Sequence, residues 1–237
     1  MVDRPPGALR RVLGRPVFWL IVVALLLIAL HRPLLRGAGG VLVVDEPWHD
    51  GRHLVVLPVV DGDRWYEVAV RWRNEHAEGT ILLVEPYPNR LVEHGLLPSF
   101  VEIARERLTQ RDVPVEAIVT VAGEARGSWS AASQLSQWLK DNPDARLDIL
   151  AARFRSRYER HVLDQVLTGG QAERVRVHAL PNSEFDESDW WRKRAAVKDV
   201  VGEHLRLAYA YLAGNGESDQ PYWDVDQYEA KLRESQP

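Results

Sequence analysis

Residues 53–84 read HLVVLPVVDGDRWYEVAVRWRNEHAEGTILLV, and this stretch decides the fold. It opens on an apolar run of strand length, 53–60, and closes on another, 80–84 (TILLV). Between them Trp65, Val68, Ala69 and Trp72 recur at i, i+3, i+4 and i+7, one face of an α-helix over 64–76. Near-continuous apolar strands are buried on both faces, and a helix between two strands brings the chain back for parallel pairing. The stretch therefore predicts strand, covering helix, parallel strand.

The alternation continues outward. Apolar runs at 115–121 (VEAIVTV), 147–152 (LDILAA) and 174–180 (RVRVHAL) predict three more strands. Helical stripes lie between them. Phe100, Ile103, Ala104 and Leu108 share a face in 99–110, with Ser99 and Glu102 as a capping box. Ala132, Leu135, Trp138 and Leu139 do so in 130–140. Tyr158, Val162, Leu163, Val166 and Leu167 do so in 157–168, with Ser156 and Glu159 as capping box and Gly169-Gly170 as stop. A long helix covers 189–213. The expected fold is α/β: a Rossmann-like, doubly wound, mainly parallel five-stranded sheet with helices on both faces.

Composition narrows the chemistry. At 237 residues, 46% hydrophobic and 27% charged, the chain is neither disordered nor collagen-like. It has no cysteine, which excludes disulfides, thiol nucleophiles, zinc ribbons and iron–sulfur clusters. A net charge of −4 argues against nucleic-acid binding. Of the tryptophans, Trp65, Trp72 and Trp138 fall on core-facing stripes, whereas Trp48, Trp129 and Trp223 suit exposed or interfacial roles.

The charge is unevenly spread. Six arginines and one acid lie in residues 1–36, leaving 24 basic and 33 acidic side chains in 37–237. Within 16–30 (PVFWLIVVALLLIAL) there is no charge. Arg15 and Arg32 can snorkel, Leu34 and Leu35 extend the apolar stretch, and Trp19 suits a membrane interface. A cleaved signal peptide needs a small-x-small site soon after the apolar core, but HRPLLR follows. The expectation is a basic cytoplasmic segment at 1–15 and a single-pass transmembrane anchor at 16–36. A Gly37–Gly40 hinge, an extended element at 41–44, an α/β domain over 37–213 and a polar tail at 214–237 follow. Arginine asymmetry places the domain outside the cytoplasm.

In an open α/β sheet, ligands bind outside the carboxyl ends of the strands. Asp61 and Gly62 follow the first strand, Arg126 and Ser128 the third, Arg153 and Arg155 the fourth. Residues two apart on an extended chain point the same way. Arg153 and Arg155 are therefore expected to face one anion beside Arg126, with the Ser156-capped helix aiming its amides there. Glu85, Glu124 or an external anion would complete the cluster; the alternative is a solvated basic edge paired with Glu85, Glu124 or the acidic loop 184–189. Asp61 or Asp63 could act as base or metal ligand, and Asp63 equally as a helix N-cap. His49 and His53 flank a loop-to-strand junction rather than one helix face, so no metal set is assigned. No dinucleotide fingerprint, Walker lysine loop or G-x-S-x-G elbow is present, and no cofactor is named.

The order of these features resembles the YdcF/SanA/ElyC-type family of bacterial envelope-associated proteins. Carrying the resemblance are the anchor, VLVVDEP at 41–47, HLVVLP before a polar loop, Arg64-x4-Ala69-x2-Trp72, TILLV and VPVEAIV at 113–119. The RGSWSAA helix start at 126–132, LAARFRS at 150–156 and Trp190-Trp191 before a last helix complete it. It implies the α/β fold, the bacterial plasma membrane and a role in envelope biogenesis or barrier function. The polar positions depart from the family. A single glycine, Gly62, follows the first strand, Ser128 to Ala132 lack the family's acid and amide, and Arg155 stands where the family has histidine. A binding or scaffolding protein with a degenerate site is the first expectation, its ligand an anionic small molecule or lipid-linked phosphate, with a membrane-protein partner alongside. The alternative is an enzyme acting on such a metabolite. A cytosolic enzyme with a hydrophobic N-terminal helix is a third reading.

Overall fold

In a computed structural model, residues 8–49, 53–58 and 64–214 are described. Five strands, β1 (His53–Val56), β2 (Thr80–Pro86), β3 (Ile118–Ala125), β4 (Leu147–Ala152) and β5 (Val175–Leu180), form one sheet in the order β3-β2-β1-β4-β5. Every pairing is parallel. The helices are α1 (Ala8–Val41), α2 (Trp65–Glu75), α3 (Arg90–Glu93), α4 (Phe100–Thr109), α5 (Ser128–Asp141), α6 (Ser156–Val166) and α7 (Arg194–Ala213).

Alternate residues of the central strand feed two cores, as a doubly covered sheet requires. Val55 and Leu57 face a core built with Leu135 and Leu139 of α5 and Val162 and Leu163 of α6. Leu54 and Val56 face the opposite one, where α2 contributes Trp65, Val68, Ala69 and Trp72, and α4 contributes Ala104 and Leu108. The capping box of α4 forms as expected: Glu102 N donates to Ser99 Oγ (3.1 Å) and Ser99 N to Glu102 Oε2 (2.7 Å). Ile103, placed on the buried stripe by spacing, is instead exposed, and Val101 is half-buried in its place. Trp138 is half-buried against the first core, edge-on to His53. Trp48 and Trp129, expected at the surface, are half-buried against the two cores. Trp223 lies outside the described residues.

The N-terminal helix departs from the sequence expectation. Gly37–Gly40 is not a hinge but the last turn of α1, which runs unbroken to Val41. The reason is tertiary packing. Leu35 and Ala38 of α1, with Leu42 just beyond it, join Phe154, Phe185 and Trp190 in a third cluster, and Trp190 Nε1 donates to Leu35 O (2.9 Å). A Cβ on Gly39 would stand 2.9 Å from Trp190 Nε1, so this contact requires glycine. Residues 43–49 then run irregularly beside β5, where Glu46 N donates to Val177 O (3.0 Å), rather than forming a strand.

Earlier in α1, Phe18, Trp19, Leu20, Val23, Leu25, Leu26, Leu30 and Leu34 are 47–68% exposed. The side chains of Val17, Ile21, Ala24, Leu27 and Ile28 lie outside the described set. Among the described residues, no helix is long and apolar enough to cross a membrane.

Candidate functional site

Strand order reverses between β1 and β4, and in such sheets the crevice outside the carboxyl ends is where ligands bind. A cavity of about 470 Å³ opens there, within the 300–1,000 Å³ range of small-molecule sites. Pro58 and Ala131 give it apolar walls, and Tyr87, Asn89, Arg126 and Arg155 bring polar groups to it.

Three of the residues singled out from sequence meet at this cavity: Arg126, Ser128 and Arg155. Arg126 is exposed, with its guanidinium 4.1 Å from the centre of the Tyr87 ring. The turn into α5 is fixed locally. Ser130 Oγ accepts from Arg126 N (2.8 Å) and Gly127 N (3.0 Å). In the amide orientation that satisfies both ends, Gln134 accepts from Glu124 N (3.0 Å) and Ala125 N (2.9 Å), holding the end of β3. Gln134 lies over Gly123, whose φ of +149° and lack of a Cβ leave room for it.

Arg153 does not join them. The expectation of two arginines facing one anion rested on an extended chain, but Arg153–Arg155 form a 3-10 turn, which sends alternate side chains apart. Arg153 makes a two-pronged contact with Glu187, Nε to Oε2 (2.9 Å) and Nη2 to Oε1 (2.8 Å). Its counter-charge thus comes from the acidic 184–189 loop, not from Glu85 or Glu124. Ser156 is not an N-cap either: it is the first residue of α6, and its Oγ donates to Arg153 O (2.7 Å) and accepts from Val44 N (2.8 Å). Asp61, Gly62 and Asp63 lie outside the described residues.

Arg155 is only half available to a ligand. Its Nε donates to Glu159 Oε1 (2.6 Å) and its Nη2 to Ser128 Oγ (3.0 Å), while Ser128 Oγ donates to the same Glu159 oxygen (2.8 Å). Burial pushes the Glu159 carboxyl above the ordinary carboxylate range, against the opposing pull of Arg155 and Ser128. Burial also works to lower the Arg155 guanidinium, but the charge and hydrogen bond of Glu159, with the charges of Glu203 and Tyr158, together outweigh it and the net direction is upward. The closed Arg155–Glu159–Ser128 triangle ties the starts of α5 and α6 together and leaves the pocket with one neutralised arginine and Arg126. Such a pocket suits an apolar ligand with a single anionic or acceptor group.

A second cluster escaped the sequence reading. Asp148, fully buried near the start of β4, is ringed by three histidines. His178 Nε2 lies 2.8 Å from Asp148 Oδ1, His49 N donates to the same oxygen (3.3 Å), and His76 Nε2 lies 3.5 Å from Oδ2. Trp48 stacks on His178, ring centres 3.5 Å apart. Among the described residues, no group of three or more His, Asp or Glu side chains is placed to hold a metal ion. The cluster fastens the 45–49 segment under the sheet. Its sequence signals were the aspartate in LDILAA and the histidine in RVRVHAL, each a polar residue in a strand run. Burial lowers the His49 imidazole below its ordinary value, with Arg176, Arg146 and His178 acting in the same direction and Asp148 against.

No family model matches the chain, and no curated protein matches it. Among solved structures, glucose-6-phosphate 1-dehydrogenase from Mycobacterium avium aligns at 16% identity with a TM-score of 0.36. The alignment covers 68% of this chain and 34% of that enzyme, so the chain spans about a third of its length. Similarity at this level carries no argument about function.

Proposed function

We propose that the chain is a membrane-anchored protein of the bacterial envelope, of the YdcF/SanA/ElyC-like type. Its carboxyl-edge pocket would bind an amphiphilic anion such as a lipid-linked phosphate, in a binding or scaffolding role in envelope biogenesis or barrier function. One observation carries this reading: the apolar helix and the pocket belong to the same edge of the sheet. Leu42 O, one residue past the end of α1, accepts from Arg157 N at the start of α6 (3.0 Å), beside the carboxyl end of β4. From there α1 leads away with large apolar side chains exposed, an arrangement that water penalises and a bilayer rewards. The same edge carries Leu91, Leu96 and Leu97, 48–69% exposed, on the loop after β2 next to Asn89 of the pocket. A pocket opening toward the bilayer, walled by apolar groups and tipped with Arg126, matches an anionic headgroup on an apolar tail.

The test uses the full chain in phosphatidylcholine nanodiscs with dodecyl phosphate as probe. Saturable binding is expected, weakened about tenfold or more in Arg126→Ala, the order of one charge-assisted hydrogen bond. Dodecanol should bind far more weakly. Absence of saturable binding, or an unchanged affinity in Arg126→Ala, would overturn the reading. A second reading, an enzyme acting on a phosphorylated envelope metabolite, is favoured by Ser128 Oγ lying 2.8 Å from a buried carboxyl that burial pushes up. Hydrolysis of an aryl phosphate, abolished in Ser128→Ala, would select it.

A further inference from the structure

Where α1 meets the domain there is a second crevice, of about 610 Å³, bordered by Arg32 and Arg36 of α1 and by Trp191 and Arg192 of the turn before α7. The geometry points to a binding site for the phosphate headgroup of an anionic bilayer lipid. This rests on the anchor reading proposed above and adds to it a defined lipid contact, separate from the carboxyl-edge pocket.

Four observations converge. First, Arg32 and Arg36 are one helical turn apart and share a face of α1. Arg192 stands across the crevice from them. All three side chains are exposed, and none forms an ion pair with a carboxylate among the described residues. Two neighbouring arginines, by contrast, are matched: Arg153 to Glu187 and Arg155 to Glu159. Second, the nearby acids are engaged. Asp186 accepts from both the amide and the hydroxyl of Ser188, which hold its carboxyl below the ordinary range with a further contribution from Arg153 and Arg36. Asp189 pairs with Lys193 (3.8 Å). Three positive charges thus face open space with one distant partial offset.

Third, the depth is right. At 1.5 Å per residue, Arg32 lies about 3 Å and Arg36 about 9 Å past Leu30, the last residue of the uncharged stretch. The polar zone on one side of a bilayer is about 5–8 Å thick. Residues 16–30 span about 22 Å, so when they are centred in a hydrocarbon core of about 30 Å, Leu30 sits about 4 Å inside its edge, Arg32 at the boundary and Arg36 about 5 Å beyond it, at headgroup level. Fourth, its walls are set before any lipid arrives. Trp191 packs edge-on against Trp190 (6.0 Å, 86°), and Trp190 is hydrogen-bonded to Leu35 O and seated on Gly39. The half-buried indole of Trp191 sits where an interfacial aromatic is favoured.

The experiment compares full-length wild type with Arg36→Gln/Arg192→Gln, both in nanodiscs of phosphatidylcholine with phosphatidylglycerol, by native mass spectrometry of retained lipid. Flotation with pure phosphatidylcholine vesicles is run alongside. Each arginine near a charged surface contributes about fivefold, so wild type should retain phosphatidylglycerol over phosphatidylcholine, and the double variant should lose about 25-fold of that preference. Arg36→Lys/Arg192→Lys should keep most of it. Inorganic phosphate at the same charge concentration should fail to displace the bound lipid. Flotation of both proteins with no lipid preference in wild type overturns this site while leaving the anchor intact. Equal preference in wild type and the Gln variant overturns it as well, as does displacement by free phosphate. Failure of wild type to float overturns the anchor and this site together.

Discussion

Replacing Glu159 by leucine should destabilise the chain more than any surface charge removal on this domain. Glu159 is 2% exposed, and its Oε1 accepts from Arg155 Nε at 2.6 Å and from Ser128 Oγ at 2.8 Å. Its removal leaves a guanidinium whose side chain is 18% exposed without a counter-charge. Breaking such a pair from one side costs about 3–5 kcal/mol. Ser128 loses its acceptor as well, which adds about 1 kcal/mol. Against a typical total stability of about 5–15 kcal/mol, a loss of about 4–6 kcal/mol is a large share. Arg155→Leu should also be costly, since it strands the carboxylate. The double variant Arg155→Leu/Glu159→Leu should be closer to wild type than either single change, because packed leucines need no counter-charge. Urea denaturation of detergent-solubilised protein, followed by tryptophan fluorescence, measures all four corners of the cycle. Single variants each within about 1 kcal/mol of wild type, or a double variant as unstable as the sum of the singles, would refute the reasoning.

Trp72→Ala should cost about 3–5 kcal/mol, because the ring is 5% exposed and its Nε1 donates to Gly79 O (3.1 Å); a denaturation curve with an unchanged midpoint would contradict the core assignment. Gly39→Val should lower stability by about 1–3 kcal/mol through overpacking, because Trp190 is pinned to Leu35 O and cannot yield, whereas Gly40→Ala, with open space around it, should be neutral in the same melting experiment. His49 has a folded-state value below its ordinary 6.5, so the unfolded chain binds its proton more readily and stability should fall as pH drops below 6.5. In His49→Asn that part of the slope of melting temperature against pH should flatten, and a slope identical to wild type would contradict it.

What the sequence disclosed, and what it withheld, follows physical lines. The five strands and the α2 stripe were legible because burial on both faces of a sheet demands continuous apolar runs and one-sided helices. Boundaries shifted where tertiary contacts outweighed local preference. Glycines suggest a hinge at 37–40, yet there they let α1 approach Trp190 and stay helical. That Arg126, Ser128 and Arg155 would meet at one cavity was legible from topology alone, since strand order dictates where loops converge. Arg153 was misassigned because a 3-10 turn replaced the extended geometry on which its direction depended. The role of Glu159 was hidden by its capping-box spacing, which suggested a local bond to Ser156 in place of its contact with Ser128, 31 residues away. The Asp148 cluster draws on His49, His76 and His178, which no periodicity links.

The central claim is that the pocket edge of the sheet faces the bilayer. The chain has no cysteine, so single cysteines can be introduced cleanly. A fluorophore on Leu97→Cys, in the exposed loop beside the pocket, should be strongly quenched by nitroxide carried on lipid headgroups in nanodiscs. The same fluorophore on Asp144→Cys, in the turn before β4 at the opposite edge, should not. Strong quenching at 97 with little at 144 is the expected result; equal quenching at both positions, or quenching at 144 alone, would contradict the account.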